Sequence, residues 1–91
     1  MSVDHDTLHD GLDALAARFW PVFSRAIGHA VAPGRYTVAQ VDGWDSLRHV
    51  ELVFELEEAF GVSIPPAAIA TLYSDTDTVL AFLRSQTALA R

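Results

Sequence analysis

The chain contains no cysteine and no lysine. The first absence excludes disulfides, thiolate zinc sites and a cysteine nucleophile, so any thiol chemistry has to come from an attached group. The second leaves six arginines to face twelve carboxylates, a formal charge of −6. That balance disfavours nucleic acid and anionic membrane surfaces as partners and makes a basic protein surface the natural complement, with plain solubility as the alternative account. Long apolar runs are missing too: 51% of the residues are hydrophobic, but they fall in short periodic groups, well under the roughly 20 consecutive residues that cross a bilayer. The opening "MSVDHDTLHD" carries acids where a secretory signal carries bases and has no apolar segment, so no export signal is expected there and a cytoplasmic location is the default. With 91 residues, one domain with one small core is expected, because burial is limited at this length.

What is present reads as helix. In "TLHDGLDALAARFW", Leu8, Leu12, Leu15 and Phe19 recur at steps of four, three and four, with Thr7 available as a cap. Pro21 follows, a residue that costs about 3 kcal/mol in a helix interior. Val22 and Ala26 continue the apolar phase, with Phe23 and Ile27 beside them, so the spacing predicts one kinked helix ending near Gly28. The aromatic cluster Phe19, Trp20 and Phe23 reads as core, with a self-association surface as the other possibility. From His29 to Gly43 there is no helical period, and Pro33 and two glycines predict a long loop pinned to the core by Val31, Tyr36, Val38 and Val41. A second helix is predicted from about Ser46 to Phe60, stopped by Gly61. A short third starts at Pro65 or Pro66. A fourth is capped by Asp75 or a neighbour and buries Val79, Leu80, Phe82 and Leu83. The expected fold is therefore all-α, a four-helix bundle with one long first loop.

In the second helix Val50, Val53, Phe54 and Phe60 are expected to face the core, with Leu52, Leu56 and Ala59 widening the apolar sector. Arg48, Glu51, Glu55 and Glu58 are separated by three, four and three residues and so line one exposed face, with Glu57 at its margin. No lysines relieve the crowding of those acids, which points to a docking surface for a basic partner, against the alternative of an ordinary solvated face. Asp45 and Ser46 both stand at the helix start, where either side chain can cap a free N–H. One cap suffices, and neither has the Glu or Gln three positions later that completes a capping box, since Arg48 and His49 stand there. One of the two is surplus, and a phosphate ester on Ser46 would suit the positive end of the helix. A catalytic serine would need a base and an oxyanion hole. His49, one turn on, could in principle approach the hydroxyl, but a chain this small does not easily enclose the pocket such chemistry needs and histidines near serines are usually inert, so no catalytic residue and no enzymatic activity are expected. His5, His9, His29 and His49 are not in metal-ligand spacing with carboxylates outside the "DHDTLHD" start, and no structural metal is expected.

The stretch "DSLRHVELVFELEEAFGVSIP" resembles the second-helix region of acyl carrier proteins, whose Asp-Ser-Leu signature carries 4′-phosphopantetheine on the serine. The pattern continues in register through Val50, Glu51, Leu52, Leu56-Glu57-Glu58, Phe60 and Ile64-Pro65. The likeness runs from about Leu15 to Leu83. It implies a single carrier domain over 1–91, with an N-terminal extension 1–12 and a carrier core 13–85, built as a four-helix bundle with a long loop after the first helix and a short third helix. It implies that Ser46 is esterified by a phosphopantetheinyl transferase using coenzyme A and magnesium, that Asp45 contacts the transferase or its metal, and that Leu47, Glu51, Glu57 and Glu58 meet partner enzymes, with Glu55 adding to the acidic surface. Arg48 stands where fatty-acid carriers often have an acid, and His49 where they have a small polar residue. The "GWDSL" lead-in looks more like discrete carriers of secondary-metabolite assembly, with Trp44 contributing to partner contact or to the setting of the arm, or else covering the end of the core.

The function this implies is that of an acyl carrier holding intermediates as thioesters, in polyketide or related natural-product biosynthesis. Its partners would be an acyltransferase or ligase that loads it and synthase or tailoring enzymes with basic docking surfaces. The alternatives are a peptidyl or aminoacyl carrier of a nonribosomal pathway and an unmodified helical interaction module.

Overall fold

In the computed structural model, the structure describes the backbone of residues 3–89 and the side chains of residues 14–87. Four helices follow one another: α1 (Val3–Ile27), α2 (Ser46–Phe60), α3 (Pro66–Leu72) and α4 (Thr76–Leu89). Among the described residues there is no strand, and the only strand-like pairing is an isolated bridge between Thr37 and Asp75. The chain is an all-α helical bundle, and no helix in the described part is long and apolar enough to cross a membrane.

α1 is one uninterrupted helix, as its apolar phase predicts, and it runs through Pro21. Pro21 is tolerated because it and Ala17, four residues earlier, both lie on the exposed side, where water can take the carbonyl bond that proline leaves unmade. The helix also reaches back to Val3, so Thr7 does not cap it. Leu8 and Leu12 fall outside the described side chains. From Leu15 onward the expected face turns inward: Phe19, Trp20, Val22, Phe23, Ala26 and Ile27 are buried.

Each later boundary has a chemical cause. Asp45 caps α2, its Oδ1 accepting the Arg48 N–H at 2.8 Å. Gly61 closes that helix at φ 63°, ψ 36°, in the left-handed region, donating its N–H to the Glu57 carbonyl. Pro66 occupies the first position of α3, where no helical N–H is needed. Asp75 caps α4 by accepting from the Thr78 N–H at 2.7 Å, and its bonds to Thr78 hold its carboxyl below the usual range.

The core joins α1 to α2. Phe19 and Phe23 stack at 5.4 Å, and Leu52, Val53 and Leu56 of α2 complete the centre with Val79 and Leu83 of α4. The long loop is pinned as expected, with Val41 buried and Val31, Tyr36 and Val38 partly so. Its middle forms a 3-10 turn at Val38–Gln40. The loop is tied to the α3–α4 connection by Val38 N–H to the Ser74 carbonyl (2.9 Å) and by Thr76, fully buried, whose Oγ1 accepts from the Tyr36 N–H at 3.0 Å.

Two arginines clamp the ends of α1 and α2. Arg48 donates through Nη1 to the Ile27 carbonyl at 2.9 Å, closing the C-terminus of α1. Arg18 donates to the Ala59 carbonyl and lies 4.7 Å over the Phe60 ring, closing the C-terminus of α2. Gly28, at φ 101°, leaves room for the first clamp, because a Cβ there would run into the Arg48 guanidinium. Gly28→Ala is therefore expected to destabilise the fold by about 1–2 kcal/mol from backbone strain alone, read as a lower urea midpoint at unchanged slope.

Candidate functional site

The start of α2 brings the candidate residues together. The chain enters along Val41–Asp45, turned by the bonds Trp44 N–H to the Val41 carbonyl (3.2 Å) and Asp45 N–H to the Gly43 carbonyl (3.0 Å). Since Asp45 alone does the capping, Ser46 is the surplus residue. It is exposed, and its hydroxyl makes no hydrogen bond among the described residues. The backbone N–H groups of Ser46 and Leu47 likewise have no partner there, so the positive end of a fifteen-residue helix opens to solvent beside a free hydroxyl.

The face leading away from Ser46 differs from the expected one. Val53 is buried, but Val50 is 41% and Phe54 64% exposed, so these two leave the core group assigned to them, and Phe60 is only half-buried. The buried stripe is His49, Leu52, Val53 and Leu56. Leu47, 69% exposed, Glu51, Phe54 and Glu58 step down one solvent-facing line at spacings of four, three and four, with Val50 alongside. Apolar and acidic side chains alternate along it, and neither Glu51 nor Glu58 has an ion-pair partner among the described residues.

Three other expected docking residues have structural partners. Arg48 is turned away from the face to the end of α1. Glu55 pairs with Arg25 at 2.8 Å, a surface contact worth at most about 1 kcal/mol. Glu57 is half-buried, and its Oε2 accepts the Ile64 N–H at 2.8 Å, which orders the turn into α3. Trp44 is buried, its ring 5.1 Å edge-on to Phe23. The ring therefore packs at the end of the core.

His49 does not serve Ser46. Its ring is buried, Nδ1 accepts the Trp44 indole N–H at 3.1 Å, and Nε2 lies 2.8 Å from the Ile69 carbonyl. Both nitrogens are committed, which fixes the neutral tautomer with the proton on Nε2. Burial pushes its pKa below the ordinary 6.5. His29, exposed, shifts the other way, because the carbonyls of Asp42 (2.6 Å) and Ala30 (3.2 Å) both favour a doubly protonated ring. A hollow of about 280 Å³ lies under the long loop, lined by His29, Val31, Tyr36 and Asp42 among others; Ser46 is not part of its lining. The site is thus an open helix end at which no described side chain is hydrogen-bonded to the serine hydroxyl. His5 and His9 of the "DHDTLHD" start fall outside the described side chains.

Neither a protein-family model, nor a curated protein, nor a solved structure matches this chain.

Proposed function

We propose that the chain is a carrier protein of acyl-carrier type, bearing 4′-phosphopantetheine on Ser46 and acyl intermediates on the thiol of that arm. The observation that carries this reading is the uncommitted Ser46 hydroxyl at the capped, solvent-open N-terminus of α2. The long α1–α2 loop and the short α3 agree with the bundle that the Asp45-Ser46-Leu47 resemblance implies. In the modification, the Ser46 oxygen forms a bond to the phosphorus bearing the pantetheine arm of coenzyme A. The pyrophosphate bond breaks, adenosine 3′,5′-bisphosphate leaves, and the serine proton passes to a base on the transferase. The arm supplies the thiol that a cysteine-free chain lacks. The residues at hand fit such a group: the open N–H groups of Ser46 and Leu47 favour its phosphodiester, and Asp45 stands next to the bond being formed.

Incubation of the purified protein with a promiscuous phosphopantetheinyl transferase, magnesium and coenzyme A is expected to add the mass of one phosphopantetheine, and Ser46→Ala to abolish the gain. A folded protein that gains nothing sinks the carrier reading. The exposed Leu47, Val50 and Phe54 would then favour the second reading, an unmodified interaction module that docks through the same face. Loading of the modified protein by an adenylating enzyme with an amino acid, rather than by an acyltransferase or acyl ligase, would mark it as an aminoacyl carrier.

A further inference from the structure

His49 is buried and titratable, and nothing in the carrier reading uses it. It joins two parts of the fold that the backbone does not join directly. Through Nδ1 it holds Trp44, in the segment that presents Ser46; through Nε2 it holds Ile69, in α3. Tyr73, the residue that ends α3, closes the same cluster from the other side, with its ring 4.9 Å from the imidazole and its hydroxyl donating to the Trp44 carbonyl at 3.3 Å.

We propose that His49 is a proton-operated latch: neutral, it ties α3 to the start of α2, and a proton on Nδ1 releases α3 while α1, α2 and α4 stay packed. The argument starts from the indole, which can only donate. The 3.1 Å contact exists because Nδ1 offers a lone pair. A second proton would set N–H against N–H across that distance and place a charge where the ring is 3% exposed. Among the described residues no charged side chain offsets it. α3 has no titratable residue, and the Tyr73 hydroxyl beyond it is engaged with the Trp44 carbonyl. α1 reaches the cluster through Phe23. On α2 and its lead-in, Asp45 is occupied by the Arg48 N–H and Arg48 by the Ile27 carbonyl, while Glu51 is exposed. Asp42 meets His29. The inward side chains of α4 are the apolar Val79, Leu80 and Leu83, with Asp77 paired to Arg35 and Arg84 exposed.

α3 is the part that gives way. Seven residues are too few to hold a helix on their own. Leu72 is its only fully buried side chain, with Ala68 and Ile69 partly covered, and its N-cap, Pro65, makes no side-chain capping bond. Both polar ties from the end of α3 to the start of α2 pass through the His49–Trp44–Tyr73 cluster, so a proton there loosens them together. The sign follows from the depressed folded-state pKa. The latch is fully closed above the unfolded-state value of 6.5 and is lost as the pH falls through the lower folded-state value. His29 works in the opposite sense at the surface, one of its two bonds to carbonyls being lost as the pH rises and the ring keeps a single N–H. The latch is independent of the carrier reading; if Ser46 carries an arm, the gap it opens lies beside the attachment point.

The test is two-dimensional amide NMR of the full chain between about pH 7.5 and about pH 5. The signals of Ala67–Leu72 and the Trp44 indole are expected to shift or broaden with one midpoint below 6.5, coincident with the His49 ring signal. Those of Phe19, Leu52 and Val79 should hold. His49→Gln, which takes up no proton in this range, should abolish the transition, and His29→Asn should leave it in place. Titration of His49 at its ordinary value with α3 unmoved would overturn the latch. So would a neutral His49 across the whole range, loss of all four helices together, or an unchanged transition in His49→Gln. Should His49→Gln fail to fold, the coincidence of ring and α3 midpoints in the wild type and in His29→Asn decides.

Discussion

Phe23→Ala is expected to remove about 3–5 kcal/mol of folding stability, the usual cost of truncating a fully buried phenylalanine. The ring is inaccessible to solvent and sits at the crossing of three contacts: stacked on Phe19 at 5.4 Å, edge-on to Trp20 at 5.6 Å and edge-on to Trp44 at 5.1 Å. It is where α1 meets the segment leading into α2, so the cavity cannot be closed by one side chain relaxing. A chain of 91 residues has about 5–14 kcal/mol in all, and the variant therefore loses a large part of it. Urea unfolding followed by helical circular dichroism measures the loss. A change under about 1 kcal/mol would mean that the aromatic cluster is not the centre of the core. Because Trp44 is the ring that His49 holds, the same substitution is also expected to loosen the start of α2.

Both ends of α2 and the starts of α3 and α4 were legible because each rests on a local device, Asp45 ahead of α2, Gly61 after it, Pro66 opening α3 and Asp75 ahead of α4, whereas the start of α1 at Val3 was not. The surplus at Asp45-Ser46 was legible too, from the missing capping-box partner, although which of the two caps depends on backbone geometry that either residue type permits. The face of α2 was less so. Helical spacing says which residues share a line, and this helix has apolar residues on more than half its circumference, in one sector around His49, Leu52, Val53 and Leu56 and another around Leu47, Val50 and Phe54. Which sector turns inward is decided by where α1 lies. His49 was hidden for a different reason. Its Trp44 partner lies before the helix begins and its Ile69 partner twenty residues on, so no periodicity links them. Arg48 shows the same limit, its charge satisfied by carbonyls at the end of another helix.

Those corrections change what α2 offers a partner, and they set the second large effect. A face of Arg48, Glu51, Glu55, Glu57 and Glu58 would dock by charge. The solvent-facing line of α2 instead holds two acids, Glu51 and Glu58, with no ion-pair partner among the described residues, interleaved with Leu47 and Phe54, which are 69% and 64% exposed. Large exposed side chains of this kind contribute little to folding, so Leu47→Ser/Phe54→Ser is expected to leave stability within about 1 kcal/mol of the wild type. An aromatic anchor removed from the centre of an interface costs about 2 kcal/mol or more. On the proposal that Ser46 takes a phosphopantetheine arm, the double substitution should therefore lower kcat/KM for that transfer by about 30-fold or more. Glu51→Gln/Glu58→Gln should instead reduce chiefly the salt dependence of that rate, since exposed charges steer encounter more than they hold the complex. An unchanged kcat/KM in the apolar double variant would exclude this line as the transferase's docking surface. A loss in the apolar variant with little salt dependence in the wild type would show that docking is driven by burial of Leu47 and Phe54, with the acids setting orientation.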